Sequence, residues 1–105
     1  MQVERPALLV FMRKWDNINM YSIYVLKNSK SNQIYIGFTN DLKRRFLEHN
    51  NNESGFTKNK GQWKLVYCEI FCSKKDALNR EKKLKQHGSL FGHLRKRISN
   101  SLNEG

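Results

Sequence analysis

The sequence predicts a small α/β domain, a three-stranded antiparallel sheet flanked by helices, and three observations carry that reading. Tyr21 to Leu26 and Gln33 to Phe38 each alternate at period two and are separated by a short polar connection. Trp63 to Phe71 is a third run of strong β formers. After the second and third runs the apolar period changes to three and four, behind residues that cap helices. At 105 residues the chain has room for one modest core.

In strand one, Tyr21, Ile23 and Val25 alternate with Ser22, Tyr24 and Leu26; in strand two, Ile34, Ile36 and Phe38 alternate with Gln33, Tyr35 and Gly37. A four-residue loop from Asn28 to Ser31 pairs Lys27 with Asn32 and sets Tyr24 opposite Tyr35. Their Cβ atoms then stand roughly 4.5–5.5 Å apart, on the face with the fewest aliphatic groups. Thr39 or Asn40 can cap the helix that follows, with Asp41 in its first turn. Leu42 and Phe46 face the core, while Arg45 and His49, four apart, form an adjoining stripe. Lys43 and Arg44 point away, toward solvent or phosphate.

Residues 50–62 form a polar loop with Gly55 and Gly61. It is either a solvated loop or one whose Lys58 and Lys60 ride along a phosphate backbone while Thr57 donates to a phosphate. The third strand holds large apolar groups in both alternate sets, which predicts a central strand buried on both faces. Ser73-x-x-Asp76 resembles a capping box and opens a helix carrying Ala77, Leu78 and Leu84. Glu81 falls inside that apolar stripe. A carboxylate there needs a partner, either Arg45 or Lys85 in a salt bridge or a hard divalent cation. Gly88, directly after His87, predicts a helix break, and a second amphipathic segment follows with Leu90, Leu94 and Ile98 inward and Arg95, Lys96 and Arg97 outward.

Twenty Lys and Arg against nine Asp and Glu give a formal charge of +11. In so small a domain this points to a polyanionic partner, nucleic acid ahead of acidic membrane surfaces or acidic proteins. No apolar run approaches the roughly 20 residues of a spanning helix, and Ala7 to Met12 has neither the length nor the cleavage site of a signal peptide. A cytoplasmic protein is expected. Cys68-x3-Cys72 followed by His87-x5-His93 superficially matches a zinc finger, but Cys68 lies within a strand and a break separates the histidines, so free thiols are expected.

Ser22-Ile23-Tyr24 and Tyr35-Ile36-Gly37, then Thr39, Leu42, Arg45, His49, Trp63 to Tyr67, Ala77 and Arg80-Glu81-Lys82, resemble the GIY-YIG endonuclease superfamily. The second tripeptide matches unchanged; the first has Ser22 for glycine and keeps Tyr24. The likeness covers roughly residues 20–98, with 99–105 as a tail. Residues 1–19 are either a short strand or arm packed on the domain or an addition ahead of a natural start at Met20. The second is preferred, since members of the family often begin almost at the first strand.

The resemblance implies a metal-dependent nuclease acting on phosphodiesters, DNA being the expected substrate, with low sequence specificity or a preference for a structure such as a branch or flap. It implies a Mg²⁺ or Mn²⁺ ion at Glu81, Tyr24 as the best candidate base, Tyr35 to orient the water or hold Tyr24, Arg45 on the phosphate oxygens and His49 in the nucleophile network. A phenol needs nearby cations to lower its pKa for that duty, and seventeen Lys and Arg lie after residue 19. Gly37 keeps the space between the tyrosines and the helix open. A monomer or weak dimer is expected, with a protein partner as a possible source of specificity. The alternative is a non-catalytic nucleic-acid-binding module of the same fold.

Overall fold

β1 (Tyr21–Asn28) is the central strand, between β2 (Ile34–Thr39) and β3 (Trp63–Phe71), and pairs antiparallel with both. The computed structural model describes residues 20–51 and 61–104. Residues 1–19 and the loop positions Thr57, Lys58 and Lys60 lie outside the described residues. The three-stranded sheet stands as predicted, but β3 is an edge strand. A register shift opposite Val25 and Leu26 explains the misreading. Below the shift Trp63 shares a face with Asn28, and above it Cys68 shares that same face with Tyr24. One face is thus supplied from both alternate sets of β3, which in sequence looks like burial on two faces.

The hairpin register also differs. Asn28 N–H donates to Gln33 O at 2.8 Å, so the four-residue loop begins one residue later than expected. Asn28 Oδ1 accepts from Lys30 N (2.9 Å) and Ser31 N (3.0 Å), and Asn32 takes a φ of 60°, a conformation asparagine tolerates. The pairing shifts by two: Tyr24 faces Gly37, and Tyr35 faces Leu26. Because a strand repeats every two residues, both tyrosines stay on one face.

On one side of the sheet, Ile23 and Val25 pack against Ala77 and Leu84 of α2 (Lys74–Gln86), Leu94 of α3 (Gly88–Arg97), Ile98, and Leu102 of α4 (Ser99–Glu104). On the other, Tyr24, Leu26 and Trp63 pack against Leu42 and Phe46 of α1 (Leu42–Asn50). Asp41, rather than Thr39 or Asn40, is the cap of α1: its Oδ1 accepts from Arg44 N at 3.1 Å. Ser73 caps α2 as expected, accepting from Asp76 N. The break at His87–Gly88 is present, with His87 extended between α2 and α3. The last residues are not a tail, since α4 buries Leu102 and its carbonyl accepts from Lys27 Nζ. Arg80 donates to Glu69 through Nε and Nη2 (3.0–3.1 Å), and Tyr67 Oη donates to Glu69 at 2.8 Å, tying α2 to β3. Among the described residues no helix is long and apolar enough to cross a membrane.

Candidate active site

The buried face beneath α1 carries a polar cluster. Tyr24 and His49 are both fully buried, and Tyr24 Oη lies 2.8 Å from His49 Nε2, a hydrogen bond whose direction the imidazole tautomer sets. Tyr35 completes the group: its ring lies 6.0 Å from that of Tyr24 and 4.8 Å from the imidazole, edge-on to the latter. Trp63 closes the far side at 6.5 Å from Tyr35. Asn50 fixes α1 against β3, its side chain donating to Trp63 O (3.0 Å) and accepting from Trp63 N (2.8 Å). That clamp sits one residue after His49 and sets its depth.

Gly37 is the reason Tyr24 can lie where it does. The phenol crosses directly over the Gly37 backbone, and a Cβ there would fall 2.8 Å from Tyr24 Cε1 and closer still to Cζ and Oη. Gly37→Ala is expected to lower stability by about 1–3 kcal/mol through overpacking. Urea unfolding measures that loss. Displacing the phenol by about an ångström should also lower any turnover on the order of 100-fold.

Electrostatics differ from expectation at Tyr24. Burial, reinforced by the neighbouring Tyr35 phenol, pushes its pKa well above the ordinary value, and the Arg45 guanidinium only partly opposes this. The resting group is a phenol, not the phenolate that the basic composition led us to expect. The field of distant surface cations is screened, whereas desolvation acts at the site itself. His49 is likewise held neutral. Burial first, and Arg45 second, bring it down from 6.5 to about 4. Because the unfolded imidazole binds its proton at higher pH than the folded one, the stability that His49 contributes is complete above pH 6.5 and is lost as pH falls toward 4. Urea midpoints at pH 7, 6 and 5 should decline, at up to about 1.4 kcal/mol per pH unit, and His49→Asn should flatten that slope.

Arg45 is 29% exposed, and its Nη1 donates to Glu48 at 2.8 Å. That bond, with smaller contributions from Tyr24 and Tyr35, raises its pKa. Arg44 also pairs with Glu48, at 3.6 Å, and is largely exposed, as is Lys43. Arg44, Arg45, Thr39, Asn40 and Lys74 line an open polar pocket of about 490 Å³ beside the cluster. Glu48 and Lys74 were not singled out by sequence, although the i+3 and i+4 spacing of Glu48 from the two arginines was legible.

Glu81 is not a core carboxylate. Leu78 is 40% exposed, so the apolar stripe is narrower than the sequence implies, and Glu81, 20% exposed, pairs with Lys85 at 3.4 Å. Lys85 Nζ in turn stands 6.0 Å over the Tyr35 ring, which links Glu81 to the edge of the tyrosine cluster. Lys74, Glu81 and Lys85 share one stripe of α2, which packs against β2. Among the described residues no three His, Cys, Asp or Glu side chains gather to hold a metal. Cys68 and Cys72 are free thiols and form no zinc group with His87 and His93. Glu81 is the carboxylate that would hold a bound ion, a mode Mg²⁺ accepts when water and phosphate complete its shell. The donor fits: Lys85 has an exposed stem that can turn away from Glu81.

The chain resembles known proteins over most of its length. A family model of the GIY-YIG catalytic domain matches residues 20–100. The chain is 40% identical over 68 residues to a UPF0213 protein of Clostridium perfringens, covering 64% of this chain and 72% of the relative. It is 35% identical over 69 residues to a UPF0213 protein of Staphylococcus saprophyticus, covering 65% and 83%. A UPF0213 protein of Halobacterium salinarum is 35% identical over 68 residues, covering 64% and 87%.

Proposed function

Because the chain belongs to the GIY-YIG catalytic-domain family, we propose that it is a metal-dependent endonuclease that hydrolyses DNA phosphodiesters. The observation that carries the proposal is the buried Tyr24–His49 hydrogen bond with Tyr35 and Arg45 around it. A phenol and a neutral imidazole 2.8 Å apart can relay a proton. As the attacking water gives its proton to Tyr24 Oη, the phenol proton passes to His49 Nε2. The water oxygen bonds to phosphorus while the bond to the 3′ oxygen breaks. Arg45 offers its guanidinium fork to the non-bridging oxygens and the charge that develops on them. Tyr35 holds Tyr24 and the water in line. Glu81 would hold a divalent cation, whose charge would polarise the phosphate and stabilise the leaving oxygen. Arg44 and Lys74 flank the site as phosphate contacts, and Lys43, Thr57, Lys58 and Lys60 are further nucleic-acid contacts by their chemistry.

Incubation of the purified protein with supercoiled plasmid and with branched duplex, in Mg²⁺, Mn²⁺ or EDTA, tests the reading. Nicking that requires the metal is expected. Binding without cutting on every substrate and metal would instead identify a nucleic-acid-binding module of the same fold. Either form should bind DNA more weakly as salt rises.

A further inference from the structure

Tyr35, at the margin of the tyrosine cluster, also lines a second, mostly apolar pocket of about 460 Å³ at the free edge of β2, which the chemistry above does not use. Tyr35, Ile36, Leu84, Lys85, Gly88 and Phe91 line it. It falls within the size range of ligand pockets, roughly 300–1,000 Å³. Its aromatic groups are Tyr35 and Phe91, and the charge at its mouth is Lys85, which also pairs with Glu81 and stands over Tyr35. The closing Asn28–Gln33 hydrogen bond fixes which way the strand's backbone points. By antiparallel alternation, the N–H and C=O of Ile34 and Ile36 are directed to the free edge and so toward this pocket.

We infer that this pocket takes an unpaired nucleobase of the nucleic-acid strand being cut, next to the scissile phosphate. The inference rests on the nuclease reading for the position of that phosphate. Aromatic and apolar walls accept the face of any base, while the strand-edge donors and acceptors can meet its polar rim. The pocket shares Tyr35 and Lys85 with the reaction site, so its occupant is continuous with the substrate. The +11 chain and the lysine at the mouth favour a polyanion over an apolar peptide. A base paired in continuous duplex cannot enter. The preferred substrate therefore carries an unpaired nucleotide at the cut, as in a bulge, gap or flap base.

Gly88 provides the test, because a side chain there meets nothing within 4 Å and its φ is not in the left-handed region. Gly88→Leu should fold at least as well as wild type, since glycine is a poor helix former, and should fill the pocket. Two oligonucleotide duplexes of one sequence are compared, one continuous and one with a single bulged 2-aminopurine. Wild type is expected to cut the bulged duplex about tenfold faster, and Gly88→Leu to bring that ratio to about one. The 2-aminopurine fluorescence should change on binding wild type and not on binding Gly88→Leu. Cutting of both duplexes at one rate by both proteins, with no fluorescence change, overturns the inference and leaves the nuclease reading standing. A fluorescence change abolished by Gly88→Leu in a protein that cuts nothing upholds the base pocket and defeats the nuclease reading. A pocket that instead serves a protein strand would leave the bulge preference and the fluorescence of Gly88→Leu equal to those of wild type.

Discussion

Tyr24→Phe should reduce plasmid nicking by about 100- to 10,000-fold, the range of a lost general acid–base group. The substitution keeps the ring that crosses Gly37 and removes only the hydroxyl bonded to His49. Substrate binding should be nearly unchanged, because the proposed role of the hydroxyl is to take the water proton, not to hold the phosphate. Stability should fall by about 1–3 kcal/mol, since buried Nε2 loses this partner. Initial nicking rates, with urea unfolding as a control, separate the two effects. A fall in rate no larger than the loss of folded protein would remove Tyr24 from the chemistry.

Arg45→Lys should lower nicking by roughly 100- to 1,000-fold, the effect of deleting one donor at a developing oxyanion. Lysine retains the charge but not the planar fork, so the loss tests geometry rather than charge. The pair with Glu48 is a partly exposed i,i+3 contact, and losing it should change stability by less than about 1 kcal/mol. Single-turnover rates at saturating DNA are the appropriate measure, because an effect confined to affinity would place Arg45 among the phosphate contacts instead.

Much of this arrangement is legible in the sequence, for identifiable reasons. Period-two alternation fixes which side of a strand a residue takes, so Tyr24 and Tyr35 share one face in both the expected register and the observed one, which differ by two. The i,i+4 spacing likewise set Arg45 and His49 together on α1. What escaped depends on contacts between distant segments. The bulge in β3 is a local irregularity that disguises an edge strand as a central one. The clamp from Asn50 to Trp63 joins segments thirteen residues apart and leaves no periodic trace. The protonation of Tyr24 was read from charge composition, whereas burial governs it. Glu81 stands out in the sequence because it interrupts an apolar stripe, yet Leu78 beside it is exposed and the carboxylate lies at the margin, not in the core.

Glu81 therefore offers the sharpest test of the central claim. Its ion pair with Lys85 is partly exposed, so Glu81→Ala should unfold within about 1 kcal/mol of wild type and bind DNA with similar affinity. Supercoiled plasmid is incubated with each protein in Mg²⁺, in Mn²⁺ and in EDTA, and the conversion to nicked circle is followed with time. The account predicts metal-dependent nicking by wild type and none by Glu81→Ala at equal DNA occupancy. Equal nicking by the two proteins would contradict it.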